Sequence, residues 1–242
     1  MAAIAVYSLK GGVGKTTLAV NLAWCAASLS CRRTLLWDLD PQAASTWLLP
    51  TTTAAKGTAQ AIFAKDLDAA KVIRPTAIPR LDVIAADTSL RGLDLLFHQL
   101  DKKKRLAKLL ATLARDYDRV ILDCPPGLTE TSEQVMRAAG LIVVPVIPSP
   151  LSVRAYDEVA AHLGRRGAAP PLMPVHSMVD RRRTLHARAI AAHPDWPAVP
   201  MASAIEQMAI RRAPIGAFAP RSTAAGAFAE VWRAVERRLA MR

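Results

Sequence analysis

Apolar residues in this chain fall in short unbroken blocks that stop at glycine, proline or aspartate. Ile4-Ala5-Val6-Tyr7, Leu35-Leu36-Trp37, Val120-Ile121-Leu122 and the run from Leu141 to Ile147 are strand-sized and lack polar alternation. Such blocks suit parallel strands covered on both faces. Strands are predicted at 3–9, 33–37, 81–85, 118–123, 141–147, 172–177 and 197–201. Between them apolar residues recur at helical spacing, which predicts helices at 15–30, 42–49, 57–65, 89–99, 101–115, 129–138, 151–164, 184–193, 203–211 and 222–240. The alternation implies right-handed crossovers and an α/β fold, a doubly wound, mostly parallel sheet with helices on both faces. No internal repeat or long linker interrupts it, and Thr51-Thr52-Thr53-Ala54-Ala55 reads as a short loop. The whole chain, 1–242, is expected to form one domain.

Composition adds a partner class. The 32 lysines and arginines outnumber the 20 acidic residues, for a net charge of +12. That excess points to a polyanion, either nucleic acid or an anionic membrane surface, with a solvated basic surface as the bland alternative. Lys102-Lys103-Lys104-Arg105 reads as a solvated helix start, with phosphate contact as the sharper reading. Cys25, Cys31 and Cys124 lack ligand spacing, so neither a disulfide framework nor a zinc site is implied. No leader-type segment opens the chain, and no apolar run approaches the ~20 residues of a membrane span. A cytoplasmic protein without stable membrane insertion is expected.

The chemistry begins at Lys10-Gly11-Gly12-Val13-Gly14-Lys15-Thr16-Thr17, directly after the first apolar block. Glycines let the backbone turn its N–H groups inward, and a helix N-terminus adds partial positive charge where phosphates would sit. Lys15 supplies a full charge to β- and γ-phosphates, and the Thr16 hydroxyl suits Mg²⁺. Two further blocks end in acid, Trp37-Asp38-Leu39-Asp40-Pro41-Gln42 and Leu122-Asp123-Cys124-Pro125-Pro126-Gly127. Acids at the C-terminal ends of parallel strands face the ligand crevice, where carboxylates hold Mg²⁺ or orient an attacking water. Asp38 and Asp40 alternate with Leu39, so both carboxylates are expected to point the same way. Pro125-Pro126-Gly127 is a stiff turn whose Gly127 N–H is expected to sense the γ-phosphate.

These strings resemble the ParA/MinD family of ATPases. Lys10 sits at the signature-lysine position of the family's deviant Walker A box, Asp38 to Gln42 resembles the Asp-x-Asp-Pro-Gln string of ParA proteins, and Pro-Pro-Gly looks like the ParA branch. Met178-Val179-Asp180-Arg181 resembles a strand-end motif near the nucleotide base. The resemblance implies a P-loop NTPase that binds ATP and Mg²⁺. Gly11 to Thr17 would form the phosphate cradle, with Asp180 near adenine. Thr16, Asp38 and Asp123 would stand at the metal, and Lys10, Lys15 and Asp40 would carry catalysis. It also implies an ATP-closed homodimer in which Lys10 reaches the partner's phosphates, weak hydrolysis stimulated by a ParB-like or cargo-adaptor protein, and non-specific double-stranded DNA binding over the nucleoid. Arg181, Arg182, Arg183, Arg188, Arg211, Arg212 and Arg221 are the candidate DNA contacts. Two departures stand out: Leu9 replaces the first glycine of the general phosphate loop, and Ala43-Ala44-Ser45-Thr46 replaces the family's Gly-Asn-Ala-Thr.

Two other classes share this fold. A MinD-like membrane-associated positioning ATPase would use an amphipathic C-terminal helix, and Phe228, Val231, Trp232, Val235 and Leu239 do line one face. A metabolic ATP-dependent enzyme would need further motifs, and Cys124 lacks a cluster partner.

Overall fold

The apolar blocks become strands because each is covered from both sides. The computed structural model describes residues 1–51, 58–64, 69–100, 104–165 and 169–241. Among these, the strands are β1 (Ala2–Val6), β2 (Thr34–Asp38), β3 (Ile73–Pro75), β4 (Leu81–Ile84), β5 (Arg119–Asp123), β6 (Leu141–Val146), β7 (Leu172–Val179) and β8 (Ala198–Pro200). They form one sheet in the order β3-β4-β2-β5-β1-β6-β7-β8. All neighbours pair in parallel except β3, which runs antiparallel along β4. The expected doubly wound, mostly parallel sheet is therefore present.

The helices are α1 (Lys15–Trp24), α2 (Ala44–Leu48), α3 (Ala61–Ala64), α4 (Ala69–Val72), α5 (Leu93–Leu100), α6 (Arg105–Leu113), α7 (Glu130–Ala138), α8 (Pro150–Gly164), α9 (Thr184–Ala192), α10 (Ser203–Arg211), α11 (Ile215–Phe218) and α12 (Thr223–Ala240). The helix predicted over 15–30 is α1 followed by a wider π-helical turn at Cys25–Leu29. The one predicted over 89–99 starts as a tight 3-10 turn at Thr88–Gly92, capped by the Asp87 side chain. Strand β3 and helices α4 and α11 are too short for a hydrophobic period to repeat and escape the sequence pattern.

Strand alternation divides the core in two. Ala3, Ala5 and Tyr7 of the first strand region face one cluster with Trp37, Val120, Leu122 and the apolar sides of α5 and α6. Ile4 and Val6 face the other, with Leu36, Ile121, α1 and α12. Side chains of period two thus feed two helical layers from one strand. In α12 the apolar stripe Phe228, Val231, Trp232 and Val235 is buried, at 0–2% exposure. Burying each such side chain contributes about 1.5–3 kcal/mol. Glu236 adds an ion pair with Arg119, and the Trp232 indole N–H donates to the Ser30 hydroxyl at 2.8 Å. This stripe is committed to the core, which removes the cue for a membrane-lying tail. Among the described residues no helix is long and apolar enough to cross a membrane.

Lys102 and Lys103, most of the threonine-rich loop, and part of the helix predicted over 57–65 lie outside the described residues. Arg105 corrects the reading of its basic run. It is buried, and its Nε and Nη2 donate to the carbonyls of Phe63 and Ile62, each at 2.9 Å. These carbonyls lie in the short helix α3, where backbone acceptors lack helical partners. Arg105 caps a neighbouring helix and is neither solvated nor available to a phosphate.

Candidate functional site

Strands β1, β2 and β5 are adjacent, and their C-terminal ends deliver Lys10 to Lys15, Asp38 and Asp123 to one rim of the sheet. Asp38 and Asp123 stand side by side in register. The loop between β1 and α1 turns through Gly12 (φ 71°) and Gly14 (φ 90°), where an L side chain would be strained. Gly14 caps α1 in the left-handed conformation, and a Cβ there would lie 3.1 Å from the Ser177 hydroxyl. That hydroxyl donates to the Val13 carbonyl at 2.7 Å and so ties the loop to β7.

Lys15 is buried at 6% exposure, and its Nζ donates to the Lys10 carbonyl at 3.0 Å. Burial lowers its pKa, against the opposing charges of Asp123 and Asp40, which favour the ammonium. Lys15, Asp40 and Asp123 therefore share one electrostatic environment. Lys10, Thr16 and Thr17 are partly exposed, and Gly11 and Gly12 are open to solvent.

The two buried acids are not equivalent. The Asp38 Oδ2 accepts from the Thr46 N–H at 2.9 Å and the Thr46 hydroxyl at 2.8 Å, and Oδ1 accepts from the Asp40 N–H at 3.1 Å. Asp123 Oδ2 accepts from the Ser45 hydroxyl at 2.6 Å, while its Oδ1 is buried without a hydrogen-bond partner among the described residues. Burial pushes both carboxyls well up, and the Asp123 charge adds to the shift of Asp38. The Ser45 and Thr16 hydroxyls pull Asp123 back down. A buried carboxylate oxygen left open beside a lysine and a threonine fits a divalent cation, which neutralises the pair and accepts that lone pair. Asp38, expected at the metal, instead spends both oxygens holding the segment 40–46.

Asp40 is half-buried, and its Oδ1 accepts from the Gln42 N–H at 2.9 Å. Asp38 and Asp40 thus differ in environment although alternation aims both toward the crevice. The Gly127 N–H donates to the Leu9 carbonyl at 3.2 Å, and the Tyr7 hydroxyl donates to the Gly127 carbonyl at 2.9 Å. The expected sensing N–H is therefore engaged with the start of the phosphate loop.

Beside the loop opens an apolar pocket lined by Gly14, Thr17, Leu18, Met178, Pro200 and Met201 among others. Met178 holds a left-handed φ of 54° at its edge. The apolar lining suits an aromatic base next to a phosphate cradle. Asp180 lines the neighbouring cavity with Arg181 and Arg182, not this one. Its carboxylate takes two bonds from the Arg182 guanidinium, at 2.9 and 3.1 Å, which with the Arg182 N–H holds its pKa down to about 2. Sequence reasoning missed Ser45 and Ser177, because an isolated serine carries no periodicity or motif.

The seven candidate arginines are all exposed. Arg181, Arg182, Arg183 and Arg188 lie around the start of α9, while Arg211 and Arg212 end α10. Arg221 precedes α12. Three are already engaged: Arg182 by Asp180, Arg211 by Phe218, whose ring centroid lies 5.5 Å from the guanidinium, and Arg212 by Trp47, whose ring lies 4.2 Å below the guanidinium and whose carbonyl accepts from Nε at 3.0 Å.

The AAA domain family model matches residues 1–164. ParA, the chromosome partitioning protein of Caulobacter vibrioides, is 31% identical over 202 residues, covering 78% of this chain and 75% of that protein. The chain belongs to the ParA family of P-loop ATPases. Soj of Bacillus subtilis, a sporulation initiation inhibitor protein, is 37% identical over 145 residues, 59% of this ParA-family chain. The match spans 57% of Soj's length, little more than half. In fold, the chain is similar to Cyanothece McdA in complex with ATP, with a TM-score of 0.84, 20% identity, and coverage of 99% of this chain and 96% of that one.

Proposed function

We propose that this ParA-family chain is a partition or positioning ATPase. On this reading it binds ATP with Mg²⁺, closes into a homodimer around the nucleotide, and in that state holds non-specific double-stranded DNA. It hydrolyses ATP slowly and is stimulated by a ParB-like or cargo-adaptor protein. The observation that supports it most is a buried Lys15 that feels the charge of Asp123, whose Oδ1 stays open at the strand rim. A triphosphate carries about four charges, and a loop lysine, N–H groups of a helix start and a cation together offset them.

In the proposed cycle Gly11 to Thr17 cradle the phosphates and Lys15 neutralises them. Thr16 and Asp123 would hold Mg²⁺, which when bound supplies charge neutralisation. Asp38 keeps the 40–46 segment in place, and Asp40 orients the attacking water. Lys10 reaches toward the partner's phosphates, which explains a second lysine in so short a loop. The base takes the apolar pocket lined by Met178 and Pro200, with Asp180 in the cavity next to it. The exposed arginines supply phosphate contacts that double on dimerisation, so DNA binding falls linearly with log salt. The setting is the cytoplasm, over the nucleoid. A DNA-bound role is preferred to a MinD-like one because the α12 stripe is buried.

The test is Asp40→Ala. Nucleotide binding should persist, turnover should stop, and an ATP-bound dimer that retains duplex DNA at moderate salt should accumulate. Light scattering, phosphate release and gel shifts read the three. Full turnover in Asp40→Ala would remove the water-orienting role. Binding to anionic liposomes in place of DNA would move the protein to the membrane class.

A further inference from the structure

We propose that Ser45 is a positioning residue that fixes the Asp123 carboxylate so that Oδ1 is the oxygen offered to the metal. The inference rests on the nucleotide-site reading above and concerns this chain's own residue, which stands where the family's Asp-Pro-Gln string continues with alanine.

Four observations carry it. Ser45 and Asp123 are both fully buried, at 0% exposure, and the hydroxyl donates to Oδ2 at 2.6 Å. A distance that short marks a charge-assisted bond, about twice as strong as a neutral one. The other oxygen, Oδ1, has no hydrogen-bond partner among the described residues. The neighbouring Asp38 takes its three hydrogen bonds from Thr46 and Asp40, and the Ser45 hydroxyl goes to Asp123.

Geometry then assigns the role. A carboxylate turns easily about its last side-chain bond, because that torsion has a broad minimum. One strong donor on Oδ2 removes that freedom and aims Oδ1. Ser45 is itself held: it lies in the one-turn helix α2, and the next residue, Thr46, donates to Asp38 while its hydroxyl oxygen accepts from the Ala86 N–H at 2.9 Å. The donor is thus anchored to two strand ends, β2 and β4, before any cation arrives. Outer-shell partners of this kind commonly change metal affinity about 10–100-fold.

The experiment is a binding titration, not an activity assay. A fluorescent ATP analogue is bound to the parent and to Ser45→Ala, first in EDTA and then against increasing Mg²⁺. The nucleotide affinity in EDTA should be unchanged, because the loop, Lys15 and the base pocket are untouched. The Mg²⁺ needed for half-maximal enhancement should rise about 10-fold or more. Ser45→Cys keeps a donor, weaker and on a larger atom, and should fall between the two, which guards against a poorly folded alanine variant. An unchanged Mg²⁺ dependence in Ser45→Ala overturns the proposal, as does an equal loss of binding in EDTA and in Mg²⁺. If the parent itself binds no nucleotide, the site reading falls and the Ser45 role falls with it. If the parent binds Mg²⁺-nucleotide and Ser45→Ala matches it, only the Ser45 role falls.

Discussion

Single residues here meet burial in three ways. Asp38 is satisfied from within the chain, Asp123 keeps one oxygen open, and His176 refuses charge. His176 lies on β7 at 1% exposure, with Nε2 3.2 Å from the His193 carbonyl and Nδ1 without a partner among the described residues. That arrangement suits a neutral ring whose Nε2–H donates. Burial lowers its pKa first, and the His193 charge lowers it further, against the His193 carbonyl and Asp195. Below the ordinary histidine value of about 6.5, the unfolded chain takes up a proton that the folded chain does not. The full stability is present above that pH and is lost as pH falls through it. The raised carboxyls of Asp38 and Asp123 act in the opposite direction over the same range, so His176 is read as a difference: between neutral pH and about pH 5 the melting temperature of the parent should drop relative to that of His176→Phe. An equal change in both proteins would clear His176 of the effect. At this scale the phosphate loop and the three acids are legible in the sequence, because their spacing is local. Ser45, Ser177 and the occupied state of Asp38 are not, since each depends on a residue that only folding brings close.

Among the elements, length decided much of what could be read. The five- to eight-residue strands announce themselves as apolar blocks and the long helix α12 by its periodicity, and the shorter β4 and β8 fall inside predicted strands. Strand β3 and helix α11, of three and four residues, fall inside no predicted element and are held by neighbours. Arg105 shows the same limit from the other side. A basic run reads as solvated until α3 arrives with unsatisfied carbonyls, and then burial with two hydrogen bonds wins. Helix α11 makes a sharp prediction. A Cβ on Gly216 would collide with the Trp24 ring of α1. Overpacking of this kind costs about 1–3 kcal/mol. Gly216→Ala should lower chemical-denaturation stability by that amount, and a neutral result would mean that Trp24 moves freely. The α11 contact also has a polar peg, since Asn21 of α1 accepts from the Ile215 N–H at 2.9 Å and donates to the Thr17 carbonyl at 2.8 Å. The helix that carries the phosphate loop is thereby joined to the segment that follows Arg211 and Arg212.

Across the whole molecule, the doubly wound sheet was readable from the alternation of blocks, and the antiparallel edge was not. The net charge of +12 named a partner class but not a surface. The structure separates its arginines by occupation: Arg182, Arg211 and Arg212 are held by neighbours, whereas Arg181, Arg183, Arg188 and Arg221 have no ion pair among the described residues. The stack of Arg212 on Trp47 has an optical consequence. Trp47 is 57% exposed, while Trp37 and Trp232 are buried at 1–2% and Trp24 and Trp196 are half-buried. Trp47 is thus the most exposed of the five indoles, and a fixed cation sits over its ring. Iodide, drawn to that cation, should quench this indole ahead of the other four, and a neutral quencher such as acrylamide should show less preference. Arg212→Ala should narrow the gap between the two quenchers, and a gap of unchanged size would place the attraction elsewhere. Trp47 begins one residue after the threonine that grips Asp38, so its emission is a native window on the metal-side segment, open without any label.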